Sequence, residues 1–125
     1  GLNSVEIFND SIKTIGNGIF NGCSKIENIR LPKTITNIGA NAFSNCTSLT
    51  QINIPQQTIA IGTEAFSGCS SLKAINMNDK IETIGDSAFE NCYSLASKIS
   101  FPTTVKSIGS KAFIGDVKIE KIPLI

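Results

Sequence analysis

The chain has 125 residues, the size of one domain that can bury a hydrophobic core. Its 11 basic and 10 acidic residues leave a net charge of +1, so we expect no nucleic-acid partner. Hydrophobic residues make up 41% of the chain, which excludes disorder, but no apolar run approaches the ~18 residues of a membrane helix. We therefore expect no membrane insertion. The absence of His excludes Ser–His–Asp and Cys–His catalysis and most zinc sites.

An internal repeat of about 23 residues runs through the whole chain. Its unit reads I-x-x-I-G-x-x-A-F-x-x-C-x-x-L-x-x-I-x-I-P. The glycine column is Gly16, Gly39, Gly62, Gly85 and Gly109. The phenylalanine column is Phe20, Phe43, Phe66, Phe89 and Phe113. The cysteine column is Cys23, Cys46, Cys69 and Cys92.

The repeat predicts a single domain over residues 1–125. A half repeat covers 2–11, and five repeats then begin near residues 12, 35, 58, 81 and 105. A unit of this length cannot bury its own apolar face, so successive coils must stack and share one core. The chain starts and ends in mid-repeat and has no polar capping repeat. We expect a fragment of a longer array, or an array that is capped by partners or by itself.

Each repeat predicts three pieces in chain order. The I-x-x-I-G piece predicts a short extended segment, with glycine supplying a turn that residues with a Cβ resist. The A-F-x-x-C-x-x-L piece has spacings of three and predicts one helical or 3₁₀ turn. The I-x-I piece predicts a strand with both side chains inward, and the stacked strands form a parallel sheet. Pro32, Pro55 and Pro102 close this strand because proline cannot donate a ladder hydrogen bond.

The cysteine column predicts buried free thiols. A spacing of 23 residues spreads the cysteines in a line along the stack, whereas metal ligands must converge on one point. Disulfides between neighbouring coils are conceivable from the separation, but parallel side chains in register point the wrong way for the dihedral angle. We expect thiol reagents to reach all four cysteines only after unfolding.

The combined columns of Gly, Phe, Cys and I-x-I-P resemble the Treponema pallidum-type leucine-rich repeat of BspA-like proteins, over residues 2–125. The resemblance implies a repeat solenoid, a right-handed leucine-rich-repeat coil with a parallel β-sheet on the concave side and short strands or 3₁₀ turns elsewhere. Such proteins occur on the surface of anaerobic bacteria and protozoan parasites. They act as adhesins for host matrix proteins or other cells, so the resemblance implies a protein ligand and a surface or secreted location.

Nothing in the sequence predicts catalysis, a cofactor or a metal site. No two acidic residues occupy equivalent positions in adjacent coils, and the glycines do not form a G-x-G-x-x-G loop. We therefore predict that the protein is not an enzyme. Two sequons, Asn9-Asp10-Ser11 and Asn45-Cys46-Thr47, matter only if the source glycosylates secreted proteins.

The outward residues of the I-x-I strands are the candidate protein-binding face. The middle column contributes Glu6, Arg30, Asn53, Asn76 and Ser100, and the preceding column contributes Asn28, Gln51, Lys98 and Lys121. A third outward column contains Phe8, Pro32, Pro55, Asn78 and Pro102. The face is polar and poor in aromatic residues. It is therefore a merely solvated face, an amide ladder that stabilises the sheet, or a site of weak multivalent protein contact.

Three other functions stay open at this point. The array could be a structural spacer that stacks end to end through its exposed strand edges. It could be an intracellular scaffold, which reduced cysteines favour. A parallel β-helix that acts on polysaccharide is the most remote, because the clustered acids or metal carboxylates it needs are missing.

Overall fold

The computed structural model describes residues 4–95 and 102–113, which wind into successive coils of a solenoid. The described residues contain short parallel strands and no helix. In chain order the strands are β1 (Ser4–Glu6), β2 (Thr14–Ile15), β3 (Asn28–Arg30), β4 (Asn37–Ile38), β5 (Gln51–Asn53), β6 (Ala60–Ile61), β7 (Ala74–Asn76), β8 (Thr83–Ile84) and β9 (Ser107–Ile108). Each coil therefore contributes at most one strand to each of two sides.

One side carries a continuous sheet of five parallel strands in the order β2-β4-β6-β8-β9, which we call the back sheet. Its register pairs the same repeat position in every coil, as in Ile38 with Ile61 and Ile61 with Ile84. These isoleucines are buried while their predecessors face outward. The predicted extended segment before each glycine is thereby confirmed.

The other side carries β1, β3, β5 and β7, which we call the front strands. Strand β1 pairs with β3, and β5 pairs with β7, all parallel and in register. In β3, β5 and β7 the central isoleucine, the first of the I-x-I piece, is buried between two exposed residues, as predicted. The second apolar residue of the piece follows the strand, and of Leu31, Ile54 and Met77 only Ile54 is buried. Strands β3 and β5 are not paired with each other.

The core contains the predicted column of stacked phenylalanine rings. Neighbouring ring centroids lie 5.1 to 5.4 Å apart, and the rings are nearly parallel, with interplanar angles of 1° to 11°. Phe43, Phe66 and Phe89 are at most 1% exposed. Such offset stacking adds to the free energy gained by burying the rings. The stacked coils share one core, as the repeat predicted.

The segment around each phenylalanine turns without forming a helix. Hydrogen bonds of the 3₁₀ type occur, as from the Cys46 N–H to the Phe43 carbonyl at 3.2 Å, but they are not consecutive. Alternate N–H groups donate instead to the next coil, as Phe43 does to Ala65 at 2.7 Å. Asn41 and Asn45 interrupt the turn with φ angles of 57° and 60°. The predicted helical turn is therefore a chain of single turns.

These left-handed residues form two columns that the repeat consensus did not include. The first contains Gly18, Asn41, Glu64, Ser87 and Lys111, and the second contains Gly22, Asn45, Gly68 and Asn91. Glycine and asparagine are the residue types that best tolerate a positive φ. The alternation of Gly and Asn in the second column is the sequence signal that could have predicted it.

The glycine column has a different role from the one predicted. Its glycines do not have a positive φ, so they do not supply a special turn conformation. A Cβ on Gly62 would instead lie 2.8 Å from the Ala40 nitrogen and 2.9 Å from the Ile38 carbonyl oxygen, both in the preceding coil. The Gly62 N–H donates to that same Ile38 oxygen at 2.8 Å. Glycine is required here because two backbones approach too closely for any side chain.

The third outward column was also predicted wrongly. Pro32, Pro55 and Asn78 are buried, and only Phe8 is strongly exposed. Strands β3 and β5 do end two residues before their prolines. Asn78, which replaces proline in its coil, donates from Nδ2 to the carbonyls of Pro55 and Thr58 at 2.5 and 2.8 Å. This column closes the side of the coil instead of facing a ligand.

Candidate protein-binding face

The front strands place the predicted face residues on one exposed surface. Glu6, Asn28, Arg30, Gln51, Asn53 and Asn76 are all exposed and lie on β1, β3, β5 or β7. They stand outward because the residue between them in each strand packs into the core. The remaining predicted residues, Lys98, Ser100 and Lys121, lie outside the described residues.

These six residues line one open groove with a volume of about 1350 Å³. The front strands form its floor, and the loops after the strands form a wall that includes Lys33, Gln57, Asp79 and Lys80. This wall was not predicted from the sequence. The wall residues follow the proline column by one or two positions, so their position three to four residues beyond each strand is the signal that could have identified them.

Polar side chains in the groove pair with the same repeat position one coil away. Arg30 Nη1 lies 3.7 Å from Glu6 Oε2, with the two side chains 79% and 44% exposed. Asn76 Nδ2 donates to Asn53 Oδ1. An exposed ion pair of this kind contributes about 0–1 kcal/mol to stability. The predicted amide ladder is therefore present at one step.

The same pairing leaves hydrogen-bonding groups directed at the groove. Asn53 uses its amide oxygen and Asn76 its amide nitrogen, so each amide keeps its other polar end for a ligand. In the wall, Lys80 Nζ donates to Gln57 Oε1 at 3.0 Å. The groove thus offers both donors and acceptors on a nearly neutral surface. This chemistry suits the peptide and side-chain groups of a protein partner.

The described part of the groove contains two carboxylates. Glu6 lies on its floor and pairs with Arg30, and Asp79 lies in its wall. Within residues 4–95 and 102–113, no three His, Cys, Asp or Glu side chains come together as metal ligands would. The same residues contain no helix long and apolar enough to cross a membrane.

The cysteine column is a line of free thiols that links successive coils. Three of the four thiols, those of Cys46, Cys69 and Cys92, donate a hydrogen bond to the carbonyl of the phenylalanine 26 residues earlier. The pairs are Cys46 with Phe20 at 3.1 Å, Cys69 with Phe43 at 3.1 Å, and Cys92 with Phe66 at 3.2 Å. The sequence analysis predicted buried thiols but missed this contact between coils.

Burial differs along the cysteine column. Cys46, Cys69 and Cys92 are at most 1% exposed, and none of the four cysteines is in a disulfide. Burial raises the pKa of the Cys46 thiol to about 11 and that of Cys69 to about 12. Cys23 is only half-buried. The prediction of a fully buried column is therefore wrong at its first member.

Large exposed apolar side chains are scattered over the surface. Phe8 is 81% exposed, Ile19 60%, Tyr93 55% and Ile59 42%. None of the four belongs to the groove lining. Single exposed side chains of this kind do not form a binding patch.

A family model described as BspA type leucine rich repeat region matches residues 1–121 in six copies. A crystal structure of a leucine-rich-repeat protein from Treponema pallidum superposes with a TM-score of 0.86 at 32% sequence identity, covering 90% of this chain and 54% of that one. A search of curated proteins gave no match.

Two further crystal structures share the fold at lower identity. A leucine-rich-repeat protein from Eubacterium ventriosum gives a TM-score of 0.62 at 24% identity, covering 98% of this chain and 45% of that one. A leucine-rich cell surface protein from Faecalibacterium prausnitzii gives 0.57 at 22% identity, covering 97% and 47%. The chain spans about half the length of these solved proteins.

Proposed function

This chain belongs to the BspA-type leucine-rich-repeat family, and from that premise we propose that it is a protein–protein interaction module whose groove binds a partner protein. The observation that carries the proposal is the gathering of six exposed polar residues in one groove above a rigid core. Leucine-rich repeats typically serve as interaction modules, and stacked coils produce the extended concave surface that such binding uses.

We further propose that the module is part of a surface or secreted adhesin-like protein that binds host matrix or cell-surface proteins. Support comes from the family and from the Faecalibacterium prausnitzii protein, which is named a cell surface protein. The described lining of the groove contains no aromatic anchor, so each of these coils contributes little binding free energy. Useful affinity would then come from several coils that contact the partner together.

Binding to immobilised fibronectin, laminin and collagen tests this proposal. The triple variant Arg30→Ala, Asn53→Ala, Asn76→Ala removes the central polar groups of the groove. The matched control Thr14→Ala, Asn37→Ala, Thr83→Ala removes the same number of exposed polar side chains from the back sheet. We expect the groove variant to lose at least about tenfold in affinity, a cost of about 1.4 kcal/mol, while the control binds like the wild type. Equal binding by the two variants would exclude the groove.

The coil-to-coil pairing in the groove favours a second function, that of a structural spacer. If Asn53 and Asn76 serve only to join adjacent coils, Asn53→Ala with Asn76→Ala will lower the free energy of unfolding without changing binding. Sedimentation over a range of concentrations tests the self-assembling form of this function. A mass that rises with concentration would support it, and a constant monomer mass would exclude it.

The free thiols favour a third function, that of an intracellular scaffold. Disulfides mark oxidising compartments, and none of the four cysteines is paired in a disulfide. Immunolocalisation of the full-length protein in its own cell distinguishes a surface location from an intracellular one. Surface labelling would support the adhesin, and an internal signal alone would support the scaffold.

A further inference from the structure

The two sides of the solenoid differ in continuity. The back sheet runs unbroken through β2, β4, β6, β8 and β9, whereas the front strands form two separate pairs, β1 with β3 and β5 with β7. The break falls between β3 and β5, at the middle of the groove floor. Behind this break, β4 and β6 are paired in register.

At the paired steps a hydrogen bond closes the carboxyl end of the strands. The Ile7 N–H donates to the Arg30 carbonyl at 3.2 Å, and the Ile54 N–H donates to the Asn76 carbonyl at 2.9 Å. Both bonds join a residue just after a front strand to the last residue of the next front strand. They hold the paired strands together where the groove floor meets its wall.

No such bond joins the equivalent groups at the break, which are the Leu31 N–H and the Asn53 carbonyl. The opposite ends of the same two strands are joined by hydrogen bonds. There the Thr50 N–H donates to the Glu27 carbonyl at 3.1 Å, and Thr50 Oγ1 donates to the same oxygen at 3.3 Å. Strands β3 and β5 are therefore hydrogen-bonded at the Glu27–Thr50 end and lack the closing bond at the Leu31–Asn53 end.

The side chains show the same division. The Glu6–Arg30 ion pair lies within the first pair of strands and the Asn53–Asn76 amide bond within the second. Neither Arg30 nor Asn53 uses its side chain to bridge the break. Each half of the groove floor therefore has a side-chain contact between its own two strands.

The break also differs from the paired steps in its prolines. Pro32 and Pro55 follow β3 and β5, so the chains on both sides of this step lack an N–H at that position. At the next step Asn78 replaces proline and donates to the Pro55 carbonyl and the Thr58 carbonyl. The break therefore coincides with two consecutive prolines in the column.

We propose that the step between β3 and β5 is a hinge that sets the curvature of the groove. Opening separates Arg30 and Leu31 from Asn53, while the back sheet and the Glu27–Thr50 contact act as the pivot. The two halves of the groove floor then move as separate units. The hinge depends only on the backbone and is independent of what the groove binds.

Amide hydrogen exchange followed by NMR tests the hinge. We expect the Leu31 amide to exchange at least about tenfold faster than the Ile54 amide, its equivalent one coil later. The Gly62 and Gly85 amides of the back sheet should exchange equally slowly, because each donates to the preceding coil at 2.8 Å. Equal protection of Leu31 and Ile54 would overturn the proposal.

A substitution that closes the break gives a second test. In Pro55→Asn the new amide should donate to the Pro32 carbonyl, as Asn78 donates to Pro55. We expect exchange at Leu31 to slow by about tenfold, with Gly62 unchanged. Pro55→Ala is the matched control, because it restores the N–H but adds no side-chain donor, and it should slow Leu31 less. Unchanged exchange at Leu31 in a folded Pro55→Asn protein would contradict the hinge.

Discussion

The first coil and the third coil contain the same repeat residues but bury them differently. Phe66 and Cys69 of the third coil are fully buried, whereas Phe20 and Cys23 of the first coil are only partly buried. The local sequence around each pair is similar, and the difference is the number of neighbouring coils. Burial at a repeat position is therefore a property of the stack, and the repeat unit alone does not determine it.

The backbone around the glycine column shows the same difference between an inner coil and the first coil. A Cβ on Gly62 would meet backbone atoms of the preceding coil at 2.8 to 2.9 Å. A Cβ on Gly16 would meet only the Ile19 side chain, at 3.1 and 3.3 Å. A flexible side chain can move away, whereas the backbone of a packed coil cannot. Glycine is thus essential in the inner coil and replaceable in the first one.

The largest expected effect comes from removing a buried ring. Phe66→Ala should lower the free energy of unfolding by about 3–5 kcal/mol, because it leaves a cavity between two rings that lie 5.1 and 5.2 Å away. Phe20→Ala should cost only about 1–2 kcal/mol, since this ring is partly exposed and stacks on Phe43 alone. Urea unfolding followed by circular dichroism measures both. Equal costs would mean that position in the stack does not control burial.

The next effect comes from the glycine column. Gly62→Ala should lower the free energy of unfolding by at least about 1–3 kcal/mol, because the added methyl group forces adjacent coils apart. Gly16→Ala should change stability by less than about 1 kcal/mol, because the loss of chain entropy in the unfolded state offsets a mild contact with Ile19. Thermal unfolding of the two variants, compared with the wild type, tests this difference. If Gly16→Ala destabilised the protein as much as Gly62→Ala, the glycines would instead serve a conformational need.

The smallest effect is a difference in thiol chemistry. A maleimide reagent should modify Cys23 in the native protein, whereas Cys46, Cys69 and Cys92 should react only after unfolding. Peptide mass mapping after a short exposure identifies the modified residue. Native modification of Cys69 at the rate of Cys23 would contradict a buried column.

The raised thiol pKa values also predict how stability depends on pH. Above pH 9 the unfolded chain loses its thiol protons, while folded Cys69, with a pKa of about 12, keeps its proton. Because the folded state then binds more protons, stability falls as the pH rises above 9, by up to about 1.4 kcal/mol per pH unit for this thiol. Cys69→Ala should flatten this dependence between pH 9 and 10.5 relative to the wild type. An identical slope in the variant and the wild type would contradict the assignment.

The sequence was sufficient to predict the side-chain columns that form the core. Strict spacing of Phe43, Phe66 and Phe89 predicted a stacked ring column, and alternation around Ile52 and Ile75 predicted the strands. A side chain at a fixed repeat position must meet its equivalents in the adjacent coils. Periodicity therefore predicts the core without any knowledge of the turns.

Periodicity did not predict the features that depend on the distance between the backbones of adjacent coils. Gly62 fits both a turn and a close approach, and only coordinates show that the preceding coil leaves no room for a Cβ. Pro55 follows a strand and was assigned to the outward face, but the loop folds it inward. The break between β3 and β5 occurs once, so no repeated pattern reports it. The binding role of Arg30, Asn53 and Asn76 stays a prediction, because exposure and a shared groove do not identify a ligand.

Like side chains of adjacent coils contact each other through the core, and a double-mutant cycle measures this contact directly. We expect Phe43→Leu and Phe66→Leu, whose rings stack at 5.1 Å, to show a coupling free energy of about 0.5–1.5 kcal/mol. Phe20→Leu and Phe89→Leu, separated by two intervening rings, should be additive within about 0.5 kcal/mol. Additivity of the adjacent pair, or equal coupling in both pairs, would contradict the stacked arrangement.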